Sequence, residues 1–176
     1  MDVPQTPADA PDPDAPETYL FEDDGRIANS RLPLLVYRQA VPADPAAIEK
    51  RFAAHDWSGG WRNGIYPFHH FHSTAHEVLG IARGSAEVMF GGPSGRAVTV
   101  NAGDVVVIPA GVGHCNKGDS GDLLVVGAYP GGGDYDLRRG DPAEHGEVVG
   151  NIAQVALPGR DPVFGGDGPL LRLWSR

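Results

Sequence analysis

The sequence predicts an all-β fold, a sandwich or barrel of short strands with a few short helices at its periphery. Its 176 residues include 25 glycines and 16 prolines but few of the helix formers Lys and Met, a balance that suits many turns and argues against a helical bundle. From residue 65 to 129, apolar runs alternate with turn residues at the roughly eight-to-twelve-residue spacing of sandwiches and barrels. Strand and helix do not alternate as a doubly wound parallel sheet requires, and no repeat of fixed period is present.

Residues 1–17 hold five prolines, four aspartates and one glutamate without Lys or Arg. Such a segment has too little apolar surface to offset the entropy of ordering, and it reads as a disordered acidic tail. Residues 18–176 then suit one domain. The run LPLLVYRQA (32–40) reads as a strand. Asp44 and Pro45 supply an N-cap and first position for a helix of about three turns, on which Ile48 and Phe52 share the core-facing stripe; Ser58, Gly59 and Gly60 end it. Strands are expected at 65–72, 77–82, 85–90, 97–100, 105–108 and 123–129. The chain beyond Gly131 is loop-rich, with a short helix near 144–153 and an apolar LLRLW segment (170–174) that wraps the outside.

Fourteen Lys and Arg against 23 Asp and Glu give a net charge of -9, which repels polyanions and excludes nucleic acid and acidic lipid as partners. Cys115 is the one cysteine, so no internal disulfide forms, and a reducing cytoplasm fits best. No apolar stretch approaches the roughly 18 residues that span a membrane, and the N-terminus lacks the basic start and apolar core of an export signal.

Four of the seven histidines fall in YPFHHFHSTAHE (66–77), and His114 follows a Gly- and Pro-rich turn further on. On an extended strand His70 and His72 project to one face while His69 and Phe71 take the other. Two imidazoles side by side can chelate, Glu77 can add a carboxylate, and His114 can close the group from a neighbouring strand end. His76 competes with Glu77, since the two cannot both point inward on a regular strand. His69 and His76 read as outer-face residues that orient the ligands or move protons. Tyr66 and Phe68 share the parity of His70 and His72 and should line the mouth, and Arg62 or Asn116 is placed to meet an anionic or carbonyl substrate. Cys115 reads as a buried, inert thiol, because no base is placed for it. The phosphate-cradling GxxxxGK[ST], the dinucleotide GxGxxG, a helical HExxH and a GxSxG elbow are all absent.

Gly64, His70, His72, Glu77 and Gly84 stand in the register G(X)5HXH(X)3,4E(X)6G. Gly103, Pro109, Gly111 and His114 follow G(X)5PXG(X)2H(X)3N up to its last position, where this chain has Gly118 and places an asparagine earlier, at Asn116. These two signatures resemble those of the cupin family, and the register to Gly84 favours Glu77 over His76. The phrases WRNGIYPFHHFHS, AGDVVVIPAGVGH and VGAYPGGGDYD are similar to the YjlB-like subgroup of bacterial cupins. The resemblance implies a double-stranded β-helix, or jelly-roll, with its barrel core at about 62–130 and one divalent transition metal ion (Mn, Fe, Ni, Co or Zn) held by His70, His72, Glu77 and His114. It further implies a metal-dependent enzyme of dioxygenase, decarboxylase or isomerase type acting on a small molecule. The alternative is a non-catalytic cupin that binds or senses a small metabolite. A homodimer is expected, since exposed sheet edges need covering.

Overall fold

The run Val105–Ile108 is apolar and buried at every position, and such a strand needs apolar cover on both faces. The computed structural model describes residues 12–175 and supplies that cover from a second sheet on one side and from helix and C-terminal segment on the other. Among the described residues the strands are β1 Glu17–Phe21, β2 Ser30–Tyr37, β3 Trp57–Asn63, β4 Glu77–Arg83, β5 Ser85–Phe90, β6 Arg96–Asn101, β7 Val105–Ile108, β8 His114–Asp119 and β9 Leu124–Pro130. They form a six-stranded sheet in the order β1-β2-β7-β4-β9-β3 and a three-stranded sheet in the order β6-β5-β8, antiparallel throughout. The all-β expectation with few short helices therefore stands.

Strand periodicity sorts successive residues to opposite faces. Leu34, Leu79 and Val106 meet Val88, Phe90 and Val98 of the smaller sheet in an inner core. Their neighbours Leu35, Val78 and Val107 face outward, under helix α1 (Pro45–Ala54) and the short C-terminal helix α3 (Leu170–Leu173). On α1, Ile48 and Phe52 are fully buried, each contributing about 1.5–3 kcal/mol, and the Asp44 side chain accepts the Ala47 N–H at 3.3 Å as the cap. A 3-10 turn at Pro142–Glu144 leads into α2, His145–Gln154. No helix among the described residues is long and apolar enough to cross a membrane.

Several boundaries differ from the sequence expectation. Helix α1 stops at Ala54 rather than at Ser58–Gly60, because Asp56 takes a left-handed φ of +66°, a conformation Asp tolerates better than most residues. Ser58, Gly59 and Gly60 instead belong to β3, which pairs with β9 across an irregularity. Residues 65–72 do not form a continuous strand: the chain bends at Pro67 and Phe68, and only the bridges His70↔His114 and Phe71↔Arg138 remain. Of the expected acidic tail, residues 1–11 lie outside the described residues and Glu17 is already in β1.

The C-terminal segment is tied down by Asp161, which is fully buried. Its carboxylate accepts the N–H groups of Val163 (2.8 Å), Phe164 (3.1 Å) and Leu170 (3.2 Å) and the Tyr37 hydroxyl. Removing it strands several buried donors at once. Asp161→Ala is expected to lower stability by about 2–4 kcal/mol in urea unfolding, whereas Asp167→Ala, at an exposed position, should change it by less than about 0.5 kcal/mol.

Candidate metal centre

The segment before β4 reaches its place by zipping along the start of β8. The Asn116 N–H donates to the Tyr66 carbonyl (2.9 Å), His70 and His114 exchange both backbone hydrogen bonds (3.2 and 2.9 Å), and the Gly111 N–H donates to the His72 carbonyl (2.8 Å). The turn that delivers His114 requires glycine at Gly111, where φ is +98° and a Cβ would lie 2.3 Å from the Asn29 carbonyl oxygen. Backbone pairing thus sets His70 against His114 with ring centroids 4.0 Å apart, and His72 follows on the same face, 5.5 Å from His114.

All three imidazoles are buried, and a ring nitrogen of each lies within 4.8 Å of those of the other two. The opposite side of each ring decides how it is used. His70 Nδ1 faces the Phe68 carbonyl at 2.9 Å, His114 Nδ1 the Val112 carbonyl at 3.1 Å, and His72 Nδ1 the Asp136 carbonyl. A carbonyl only accepts, so each Nδ1 carries the proton and each Nε2 presents a lone pair to the centre. The Asp136 carbonyl is itself fixed, because its carboxylate accepts from the Ser73 backbone and hydroxyl and from Arg138 at 2.8 Å.

Glu77, the first residue of β4, is 2 % exposed and reaches the same centre, 3.5 Å from His72 Nε2 and 3.4 Å from His114 Nε2. Tyr129 of β9 donates its hydroxyl to Glu77 at 2.8 Å and accepts the Trp61 indole N–H at 2.7 Å. Burial works to raise the Glu77 carboxyl, but contacts with His114 and His72 outweigh it and hold the group well below the usual carboxylate range. Burial works to lower His72, yet the Glu77 carboxylate and the Asp136 carbonyl leave it above its ordinary value. Burial and the neighbouring His114 pull His70 down to about 3. Three inward ring nitrogens and a buried carboxylate thus converge where a cation would satisfy all of them, and the set fits a divalent ion.

These groups line a cavity of about 310 Å³, which Trp61, Ile65, Leu79 and Leu137 wall with apolar surface and Tyr66 and Tyr135 flank at the mouth. Tyr135 stacks on Tyr129 (centroids 4.4 Å) and meets the His72 ring at 5.1 Å. A larger groove of about 540 Å³ runs along β1 and the β5–β6 turn and contains none of the histidines.

The structure brings His70, His72, Glu77, His114 and Tyr66 together around the cavity and keeps other sequence candidates out of its lining. Phe68 stacks on Tyr66 at 4.9 Å and meets the His70 ring edge-on at 5.5 Å, but it lies under the Arg139 guanidinium at 4.0 Å and outside the cavity lining, beside the bend at Pro67. Arg62 points to the outer face of β3 and pairs with Glu49. The Asn116 side chain closes its own turn, donating to Asp119 and accepting from Gly118. His76 faces outward from Glu77, accepting the Ala110 N–H at 2.9 Å beside Trp174. His69 lies outside the cavity lining, and burial lowers its pKa. Cys115 is a buried free thiol. Sequence reasoning missed Trp61, Tyr129, Tyr135, Leu137 and Asp136. Reading residues 57–63 as a strand would have placed Trp61 and Asn63 inward and Arg62 outward; the loop residues carried no local signal.

Two packed antiparallel sheets enclosing three buried histidines and a glutamate define a class, and the cupin family profile matches residues 62–129. The chain belongs to the cupin family. Within it the chain is YjlB-like: it is 47% identical over 161 residues to "Uncharacterized protein YjlB" of Bacillus subtilis (strain 168), covering 91% of this chain and 97% of that protein. Among solved structures it is similar to an acireductone dioxygenase from Bacillus anthracis with a cadmium ion in its active centre (15% identity, 55% of this chain and 76% of that one, TM-score 0.40). Another is an oxalate decarboxylase formate complex from Lactobacillus farciminis (20% identity, 70% and 33%, TM-score 0.37). Both likenesses are too distant to bear on the reaction of this chain.

The opposed shifts of His72 and Glu77 are testable without any ligand. In chelator-treated protein, Glu77→Gln removes the charge that holds His72 up and leaves the burial that pulls it down. The His72 titration followed by NMR should then move to lower pH than in the parent; an unmoved titration would contradict the pairing.

Proposed function

We propose that the protein is a metal-dependent enzyme that acts on a small molecule, of the dioxygenase or decarboxylase type. One divalent transition metal ion per chain (Mn, Fe, Ni, Co or Zn) would be held by His70, His72, Glu77 and His114. The observation that carries this reading is the triple commitment of Nδ1 groups to backbone carbonyls, which turns three buried Nε2 lone pairs toward one point beside a buried carboxylate. Nitrogen and hard oxygen donors without thiolate suit this group of ions and do not choose sharply among them. When bound, the ion supplies Lewis acidity and, if redox-active, electron transfer at positions the four protein donors leave open.

The chain's own residues do the rest. Burial keeps the His70 imidazole neutral and ready to ligate. Tyr129 holds the Glu77 carboxylate in place and stays protonated, because burial and the Glu77 charge both raise its pKa. The apolar wall of Trp61, Ile65, Leu79 and Leu137 keeps bulk water from the reacting end of a substrate. The cavity amounts to about ten water volumes, which limits the ligand to a small molecule. We also propose a homodimer, since β1 ends the six-stranded sheet with one edge uncovered among the described residues. A cytoplasmic setting suits the single free thiol.

Elemental analysis of protein purified without a nickel column should find about one transition ion per chain in the parent and almost none in His72→Ala. Asp136→Ala, which loosens the carbonyl behind His72, should weaken metal affinity by about ten- to a hundredfold. Steady oxygen uptake, or turnover of carboxylic acids or diketones by the reconstituted protein, tests the enzymatic reading. Saturable binding without product would assign the site to capture or sensing.

A further inference from the structure

The cavity carries little charge in its described lining. Among the described residues no Lys or Arg lines it, and Glu77 is the one acid that does. Of the arginines on the surrounding elements, Arg62 is paired with Glu49 and Arg138 with Asp136, Glu144 and Glu147, while Arg139 lies over the Phe68 ring, outside the cavity lining. The Tyr129 hydroxyl is used on both sides, by Trp61 and Glu77. Only uncharged groups remain among the described residues to meet the part of a ligand that lies away from the histidines: the Tyr66 and Tyr135 rings at the mouth, the Asn63 amide, and the apolar wall ending in Leu137.

Resting on the metal-bearing reading above, we propose that the site selects a small chelating ligand with a single negative charge and an apolar or aromatic body, and rejects dianions. A divalent ion and the Glu77 carboxylate together leave one positive charge among neutral imidazoles. A monoanion that chelates brings the buried centre to neutrality. A second carboxylate would face tyrosine hydroxyls, the Asn63 amide and hydrocarbon, with no cation in the described lining to pair it, and an unpaired charge in such surroundings is strongly disfavoured. The two tyrosines sit on different flanks, Tyr66 against His70 at 5.3 Å and Tyr135 against His72 at 5.1 Å, both edge-on, so a flat apolar body leaving the centre passes between aromatic walls.

Cobalt(II)-loaded protein, its loading first checked by metal analysis, would be titrated with keto acids that share one chelating end, read by calorimetry and by the cobalt visible spectrum. 2-Oxovalerate and benzoylformate carry one charge, whereas 2-oxoglutarate matches 2-oxovalerate in chain length and adds a distal carboxylate. The monoanions should bind at least about tenfold more tightly than 2-oxoglutarate, and Leu137→Arg, at a half-exposed position on the mouth, should close that gap. The proposal is overturned if 2-oxoglutarate binds the parent as tightly, if no keto acid binds the loaded protein, or if Leu137→Arg leaves the preference unmoved. Failure to take up cobalt at all would instead overturn the metal-bearing reading, and the loading measurement reveals that before any keto acid is added.

Discussion

A backbone carbonyl has no proton to give, and the centre of this protein is organised by that fact. Behind each of His70, His72 and His114 stands a carbonyl at Nδ1, from Phe68, Asp136 and Val112. Two of these carbonyls belong to residues two positions before the histidine they serve, so the local backbone shape orients its own side chain. The third comes from a loop more than sixty residues away and is held by an ion pair between Asp136 and Arg138. His72 is therefore the imidazole whose orientation depends on a distant loop, and it is also one whose pKa Glu77 helps to hold above its ordinary value.

The sheets provide the rigidity that such an arrangement needs. Glu77 opens β4, a central strand of the larger sheet flanked by β7 and β9, and Tyr129 comes from the neighbouring β9. Trp61, on edge strand β3, completes a hydrogen-bonded row across adjacent strands. A carboxylate buried on a central strand and gripped by a tyrosine cannot swing away when its electrostatic partner changes. The mouth is built differently, from the irregular segment around Pro67 and the loop carrying Tyr135 and Leu137, whose side chains are about half exposed. Rigid donors inside and neutral, adaptable groups outside separate the chemistry of the centre from the recognition of what enters.

Much of this was legible in the chain. The turn residues and apolar runs located β5 and β7 to the residue and β4, β6 and β9 to within two residues at either end. The HxH spacing put His70 and His72 on one face even though the segment is not a regular strand, because backbone pairing with β8 preserves the alternation from His70 onward. The alternation failed before that point, at Phe68, where a proline bends the chain. It was also invisible at Ser58–Gly60, where glycines that usually stop a helix lie inside a strand, while Asp56 makes the turn. β8 has a polar, glycine-containing sequence with no apolar period and is a strand because β5 pairs with it.

By itself, then, the sequence determined the β class, the peripheral helices and the shared face of His70 and His72, since these depend on residue type and short spacings that backbone geometry converts directly into faces and turns. The preference for Glu77 over His76 came from the register of the family signature. Only the tertiary structure decided which groups stand behind and around those donors. The Asp136 carbonyl, the Trp61–Tyr129–Glu77 row and the uncharged mouth arise from segments brought together by long-range packing, and no local pattern encodes a contact whose two halves lie fifty or more residues apart.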